Sequence, residues 1–303
     1  MGITAGKRTM TDLTRTRLGE YSALIEPALD RYFPAEELPQ GEIFSACRYS
    51  LLAGGKRLRP ALLLEFYRQW GGNAEDALPF ACALEMIHTY SLIHDDLPCM
   101  DDDDTRRGRP SNHVVYGAGM ATLAGDALLN RAFELMAQSG KIPAPRALEA
   151  IAYVSARSGV YGMIGGQVQD LALEGKHAGE AALRQMVDLK TGALIRAACV
   201  GGAILAGAGE QDRARAEDYA AALGLAFQIR DDMLDVTGDP ALLGKPVGSD
   251  RAEDKSTFAA LLGLDECARR VDALTEQAVL AAQGLPQPDF LCALARDLAG
   301  RQS

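Results

Sequence analysis

The sequence predicts an all-α protein, a single-domain bundle of roughly ten helices. Three observations predict it. Ala and Leu recur at helical spacing through most of the chain. Runs of alternating β-branched residues, the mark of strands, are absent. Gly and Pro fall between the periodic stretches and seldom inside them. Taken in order, amphipathic periodicity predicts helices over 43–52, 62–69, 78–96, 119–138, 147–168, 180–204, 211–235 and 264–283. The breaks are Gly71-Gly72, Pro98, Gly108 to Pro110, Ile142 to Pro145, Gly238 to Gly248, and Gly284 to Pro288. No composition shift marks a domain boundary and no repeat of fixed period occurs. Residues 1–15 read as a flexible leader and 16–303 as one domain.

Composition narrows the function classes. Apolar residues make up 48% and charged residues 24% of 303, enough for a sizeable core. Lys and Arg number 31 against 41 Asp and Glu, a net charge of −10. That balance excludes a nucleic-acid binder that relies on a basic face. It leaves room for an anionic ligand held by a local cluster of cations. No uninterrupted apolar run reaches the roughly 18 residues of a membrane span. Lys7, Arg8, Arg15 and Arg17 are followed by no apolar segment of the kind a secretory signal needs. The six cysteines, Cys47, Cys82, Cys99, Cys199, Cys267 and Cys292, form no CxxC pair. They read as idle thiols of a cytoplasmic protein.

The stretch 95–110 reads DDLPCMDDDDTRRGRP. Two like charges about 4 Å apart repel by about 4 kcal/mol at an effective dielectric near 20, so these carboxylates need water or cations. The apolar helix before them, with Leu84, Ile87, Leu92 and Ile93, delivers Asp95 and Asp96 at its C-terminal end. The helix dipole disfavours carboxylates there. Pro98 disfavours helix at Leu97, so the chain turns and Asp101 can fold back toward Asp95. Carboxylate oxygens without imidazole or thiolate suit Mg²⁺, Ca²⁺ or Mn²⁺. A calcium loop of the EF-hand kind is excluded, because Arg106 and Asn112 stand where its Gly and Glu belong. Mg²⁺ completes its shell with water and substrate phosphates, and Arg106 and Arg107 supply planar forks for those phosphates.

A second apolar helix ends in Gln228-Ile-Arg-Asp231-Asp232-Met-Leu-Asp235. Asp231 and Asp235 share one face, with Gln228 one turn earlier. Two apolar helices that end in aspartates can clamp metal between them across a cavity. Cations for a polyanion lie at Gly54-Gly55-Lys56-Arg57-Leu58-Arg59, at Lys190-Thr191-Gly192, and at Lys245 and Lys255. His88 sits on the helix face of Asp95. Neither a P-loop nor GxGxxG is present.

These motifs resemble the trans-isoprenyl diphosphate synthases, nearest the bacterial farnesyl diphosphate synthases, over residues 40 to 300. The resemblance rests on an ordered set: GGKRLRP from Gly54, HTYSLIHDDLPCMDDDDTRRGRPSNH from His88, GGQVQDL from Gly165, KTGAL from Lys190, FQIRDDMLDVTGD from Phe227 and GKPVGSD from Gly244. It implies the isoprenoid synthase fold around a deep apolar cavity, as a homodimer. It implies three Mg²⁺, with Mn²⁺ able to substitute: two at Asp95 and Asp101 supported by Asp96, one at Asp231 with Asp232 and Asp235 nearby. Arg106, Lys190 and Lys245 would hold the allylic diphosphate, with Lys255 beyond. Gly55, Lys56, Arg57, Arg59, His88 and Arg107 would hold isopentenyl diphosphate. The family departs the allylic diphosphate first, so no side-chain nucleophile is required. Thr191 and Gln228 would offer neutral oxygen dipoles to the allylic cation.

Chain length in the family follows cavity depth. Tyr90, beside Ser91, lies about 7.5 Å below Asp95 along the helix. An aromatic residue there implies a fifteen-carbon product and a farnesyl diphosphate synthase. The alternatives are a geranylgeranyl diphosphate synthase and a non-catalytic subunit of a heteromeric prenyl synthase; such subunits lose an aspartate motif, and both are intact. Ser111 and Thr105 depart from the more usual Thr and Leu. The tail with Arg301 resembles the family's cationic terminus only loosely and carries no closing role over.

Overall fold

The computed structural model describes residues 10–176, 178–237 and 256–301. In chain order the helices are α1 (Asp12–Tyr32), α2 (Gly41–Leu51), α3 (Leu58–Arg68), α4 (Leu78–Asp95), α5 (Asn112–Tyr116), α6 (Ala118–Ala137), α7 (Ala144–Ser158), α8 (Met163–Leu173), α9 (Glu180–Val187), α10 (Ala193–Ala206), α11 (Glu210–Thr237), α12 (Phe258–Leu262), α13 (Leu264–Gln283) and α14 (Asp289–Ala299). A 3₁₀ turn (Ala74–Ala77) precedes α4, and a π-helical turn (Asp188–Gly192) joins α9 to α10. The all-α expectation holds.

Three differences from the periodicity are physical. The stretch 147–168 divides into α7 and α8, because Gly159 and Gly162 leave helical geometry between them. Helix α14, with the amphipathic sequence DFLCALARDLA, lies beyond the last predicted stretch, and α1, whose apolar periodicity is weak, starts at Asp12, inside the expected leader. A minimal antiparallel hairpin, β1 (Thr105–Arg106) and β2 (Arg109–Pro110), pairs Arg106 with Arg109. Its turn residues Arg107 and Gly108 have φ of 55° and 71°, the double left-handed turn that suits a two-residue hairpin.

The chain groups into two compact units. One comprises Glu20–Gly159 with Ala197–Ala208. Here α4 packs along α6, with α2 and α3 beside it. Two thirds of the α4 side chains are buried, including Phe80, Leu84, Met86, Ile87 and Ile93. That accounts for its apolar sequence all round. The other unit comprises Met1–Gly19, Val160–Arg196 and Gly209–Ser303. Here α11 packs along α13, which carries α14, and α8 and α9 flank the π turn. Leu183, Met186, Val187, Ile229, Met233, Phe258, Cys267 and Val271 form its core cluster. The helical run Glu180–Ala206 is long and apolar enough to span a bilayer. Its apolar window is 78% buried inside the protein, as in a core helix. Five cysteines are buried and Cys99 is exposed, and all six are free thiols.

Candidate active site

The two aspartate clusters belong to different units, and each builds its own constellation.

Helix α4 positions the first. Asp95 ends the helix and Asp96 caps it, its amide bonded to the Leu92 carbonyl at 3.1 Å. The loop after Pro98 returns as expected, because the Asp101 amide donates to the Asp95 carbonyl at 2.9 Å. Asp102 completes the return in the left-handed region, with φ of 52°, its amide on the Leu97 carbonyl. Asp95 and Asp101 thus start from adjacent backbone and are both part-exposed. Asp96 sits differently from the expectation of a metal-supporting carboxylate: it is 2% exposed and takes Arg106 through both Nε (3.0 Å) and Nη2. Burial raises its carboxyl above the ordinary range, against the pull of Arg106. The second Arg106 contact is Asp103, at 3.0 Å.

Cations gather on the same unit. Arg59 donates to His88 Nε2 at 3.2 Å, so that nitrogen accepts and the imidazole is neutral. Burial holds the His88 pKa well below its ordinary 6.5, and Arg59, Arg107, Arg57 and Arg106 add to the depression. Arg107 donates to the Gly54 carbonyl. Gly55 has φ of +134°, and a Cβ there would lie 3.0 Å from the Arg107 guanidinium. Only glycine allows that approach. Lys56 is exposed beside it. Arg57 departs from the expected ligand-facing role. It is 2% exposed, held by Glu26 at 2.7 Å, Glu85 at 2.6 Å and the Leu51 carbonyl at 2.9 Å. Its sequence neighbours gave no sign of those two acids, which arrive on α1 and α4. Tyr90 is 5% exposed, its ring edge-on to His94 at 5.7 Å, and its buried hydroxyl has no hydrogen-bond partner among the described residues. Burial, then Asp95, lifts its pKa to about 12. Ser91 Oγ bonds back to the His88 carbonyl at 2.9 Å.

The second constellation is built on the π turn and α11. Thr191 Oγ1 donates to Gln228 Oε1 at 3.1 Å, and Gln228 Nε2 donates to Asp232 at 2.9 Å. Asp232 also accepts the Phe258 amide at 2.7 Å and is 4% exposed, so its oxygens serve the fold. Asp235 is buried as well, at 5%. Asp231 is the outward member, its side chain 43% exposed and paired with Arg301 at 2.6 Å. Lys190 pairs with Asp170 of α8 at 2.5 Å, a partner the sequence reading did not single out although it lies in GGQVQDL. Gly166 lets α8 reach the π turn: a Cβ there would lie 2.2 Å from the Lys190 nitrogen. Lys190, Thr191, Gln228 and Asp232 line one cleft of about 180 Å³ with Asp170, Glu174, Ser256 and Thr257. Lys245 and Lys255 lie outside the described residues.

Among the described residues no three His, Cys, Asp or Glu side chains converge as a closed metal cage. The donor set still fits Mg²⁺, which is held by one or two carboxylates and takes the rest of its octahedron from water and phosphate. Asp95, Asp101 and Asp231 have that character.

Comparison with known proteins agrees with this chemistry. Residues 40–283 match the polyprenyl synthetase family. The chain is 46% identical over 268 residues to a geranylgeranyl diphosphate synthase of Cyanophora paradoxa, covering 87% of this chain and 88% of the relative. It is 47% identical over 249 residues to a farnesyl diphosphate synthase of Geobacillus stearothermophilus, covering 82% and 84%. The crystal structure of an FPP/GFPP synthase from Zymomonas mobilis superposes with a TM-score of 0.86 at 36% identity, over 94% of this chain and 98% of that one. The chain belongs to the polyprenyl synthetase family and is a trans-prenyl diphosphate synthase, a prenyltransferase.

Proposed function

We propose that the chain condenses isopentenyl diphosphate with dimethylallyl and then geranyl diphosphate, and stops at farnesyl diphosphate. Relatives carry both farnesyl and geranylgeranyl names, so the product length rests on this chain's own residues. The observation that carries the reading is Tyr90. It is a large side chain packed at 5% exposure one turn and a half below Asp95, where a growing prenyl chain would extend.

Asp95 and Asp101 would hold two Mg²⁺ and Asp231 a third, on the diphosphate of the allylic substrate. Bound Mg²⁺ neutralises the charge that develops on a departing diphosphate. Lys190, oriented by Asp170, would bind the same diphosphate. Arg106, held by Asp96, would do so from the hairpin. Lys56, Arg59 and Arg107 would bind isopentenyl diphosphate beside a neutral His88, while Arg57 acts as a buried strut for the loop that carries them. Thr191 and Gln228 present neutral oxygens, which stabilise an allylic cation without capturing it. The double bond of isopentenyl diphosphate would attack that cation, and the proton lost afterwards would leave on the released diphosphate. Exclusion of water protects the cation through the reaction. A homodimer is the assembly the family resemblance implies, and Val114, Val115 and Leu123 are exposed apolar side chains that a second copy would cover.

The test is incubation with dimethylallyl, geranyl and isopentenyl diphosphates plus Mg²⁺, then sizing of the product by chromatography. A fifteen-carbon product from the wild type, lengthened to twenty in Tyr90→Ala, is expected. A twenty-carbon product from the wild type, or an unchanged product from Tyr90→Ala, overturns the assignment of Tyr90.

A further inference from the structure

Arg301 follows α14 and lies on the second aspartate motif. Its guanidinium stands 3.7 Å from the centroid of the Phe227 ring. Its Nη2 donates to the Phe227 carbonyl at 3.1 Å and to Asp231 Oδ1 at 2.6 Å. Its own carbonyl accepts Arg230 Nε at 2.9 Å and Nη2 at 2.6 Å. Phe227 and Asp231 are one turn apart on α11, so a single planar fork spans ring, carbonyl and carboxylate. The Arg301 side chain is 9% exposed. A solvated surface pair, worth about 0–1 kcal/mol, has no such housing.

We propose that Arg301 is a built-in counter-ion of the second aspartate motif, which holds the Asp231 carboxylate until a divalent cation takes it. The proposal rests on the reading of Asp231 as the metal ligand. Asp232 and Asp235 are buried, so Asp231 is the outward carboxylate of the three. Mg²⁺ needs a carboxylate oxygen at about 2.0–2.1 Å in near-octahedral geometry. A guanidinium nitrogen 2.6 Å from that carboxylate puts a positive charge inside the space the ion and its waters require. The two cations therefore compete, and metal binding frees the segment that Arg301 ties down. Coupling of this kind is reciprocal: the metal weakens the Arg301 contact by the factor by which Arg301 weakens the metal.

Hydrogen exchange and thermal denaturation test it on the full chain, with Mn²⁺ and inorganic pyrophosphate as probes. In the wild type, the probes should speed amide exchange over residues 289–301. Unchanged or slower exchange there overturns the proposal. In Arg301→Gln, the Mn²⁺ concentration that half-saturates the thermal shift should fall roughly fivefold or more. An equal or higher concentration overturns it. Arg301→Lys keeps the charge without the fork and should lie between the two, which separates the effect from general loss of folding. Asp231→Asn distinguishes the two readings. If it leaves the Mn²⁺ response at the wild-type level, Asp231 is not the ligand and both readings fall. If it lowers the response while Arg301→Gln matches the wild type, the ligand assignment stands and the counter-ion alone is overturned.

Discussion

Helix α4 delivers Asp95 and Asp96 at its last turn, where a proline-broken loop and a hairpin follow at once. Helix α11 carries Asp231, Asp232 and Asp235 before its end, with no comparable loop among the described residues. The cations differ accordingly. Asp96 is met by Arg106, ten residues along the chain. Asp231 is met by Arg301, seventy residues along. The first motif encloses its paired carboxylate at 2% exposure and leaves Asp95 and Asp101 toward solvent. The second encloses Asp232 and Asp235 and leaves Asp231 outward under an arginine that follows another helix. Similar aspartate-rich helix ends are thus organised by a local turn in one case and by tertiary packing in the other.

Removal of a ligand should expose the largest difference. Asp95→Ala is expected to lower turnover by about three orders of magnitude or more, each tenfold corresponding to about 1.4 kcal/mol. Asp231→Ala should lose less, because in the proposed function one ion would depend on it and two on the first motif. Steady-state rates with isopentenyl and geranyl diphosphates measure both. Equal losses would mean that the motifs share the work evenly.

Stability should separate the two arginines. Arg106→Ala leaves Asp96 buried without its partner, at a cost of about 3 kcal/mol, the lower end for breaking a buried pair because Arg106 itself is part-exposed. Arg301→Ala in metal-free protein should cost about 1 kcal/mol, since the Asp231 carboxylate regains water. Denaturant titrations give both numbers. A reversed order would break the distinction between an enclosed and an outward carboxylate.

The smallest effect concerns pH. His88 is held neutral in the fold, whereas the unfolded chain takes up a proton below about 6.5. Stability is therefore fully present above pH 6.5 and falls as pH drops below it, by at most about 1.4 kcal/mol per pH unit. His88→Gln should flatten that slope between pH 6.5 and 5.5. The same slope in wild type and variant would place the titrating group elsewhere. The second motif offers no such imidazole: its Lys190 is balanced by Asp170.

Much of this was legible in the sequence because it is local. An apolar run that ends in aspartates and a proline already announces α4, its exposed carboxylates and the return of Asp101. Lys190, Thr191 and Gln228 stand in motifs that the sequence singles out, and the three line one cleft. The hairpin was not legible from periodicity, since two strands of two residues have no alternation to read; the sequence marks it only by the break at Gly108 to Pro110, where the structure has Arg107 and Gly108 in the left-handed region. The division of 147–168 into α7 and α8 was hidden because apolar spacing continues across Gly159 and Gly162.

By itself the sequence determined the all-α class, the helix ends at which carboxylates collect, and the family. Those follow from periodicity, turn residues and residue type, which act over one or two helical turns. Only the tertiary structure decided which charges are enclosed by partners and which stay open to solvent. Arg57 is a strut because Glu26 and Glu85 reach it from two other helices, and Asp231 is capped because α14 brings Arg301 onto α11. A charge's role depends on its nearest partner and its access to water, and both are set by residues far away in the chain.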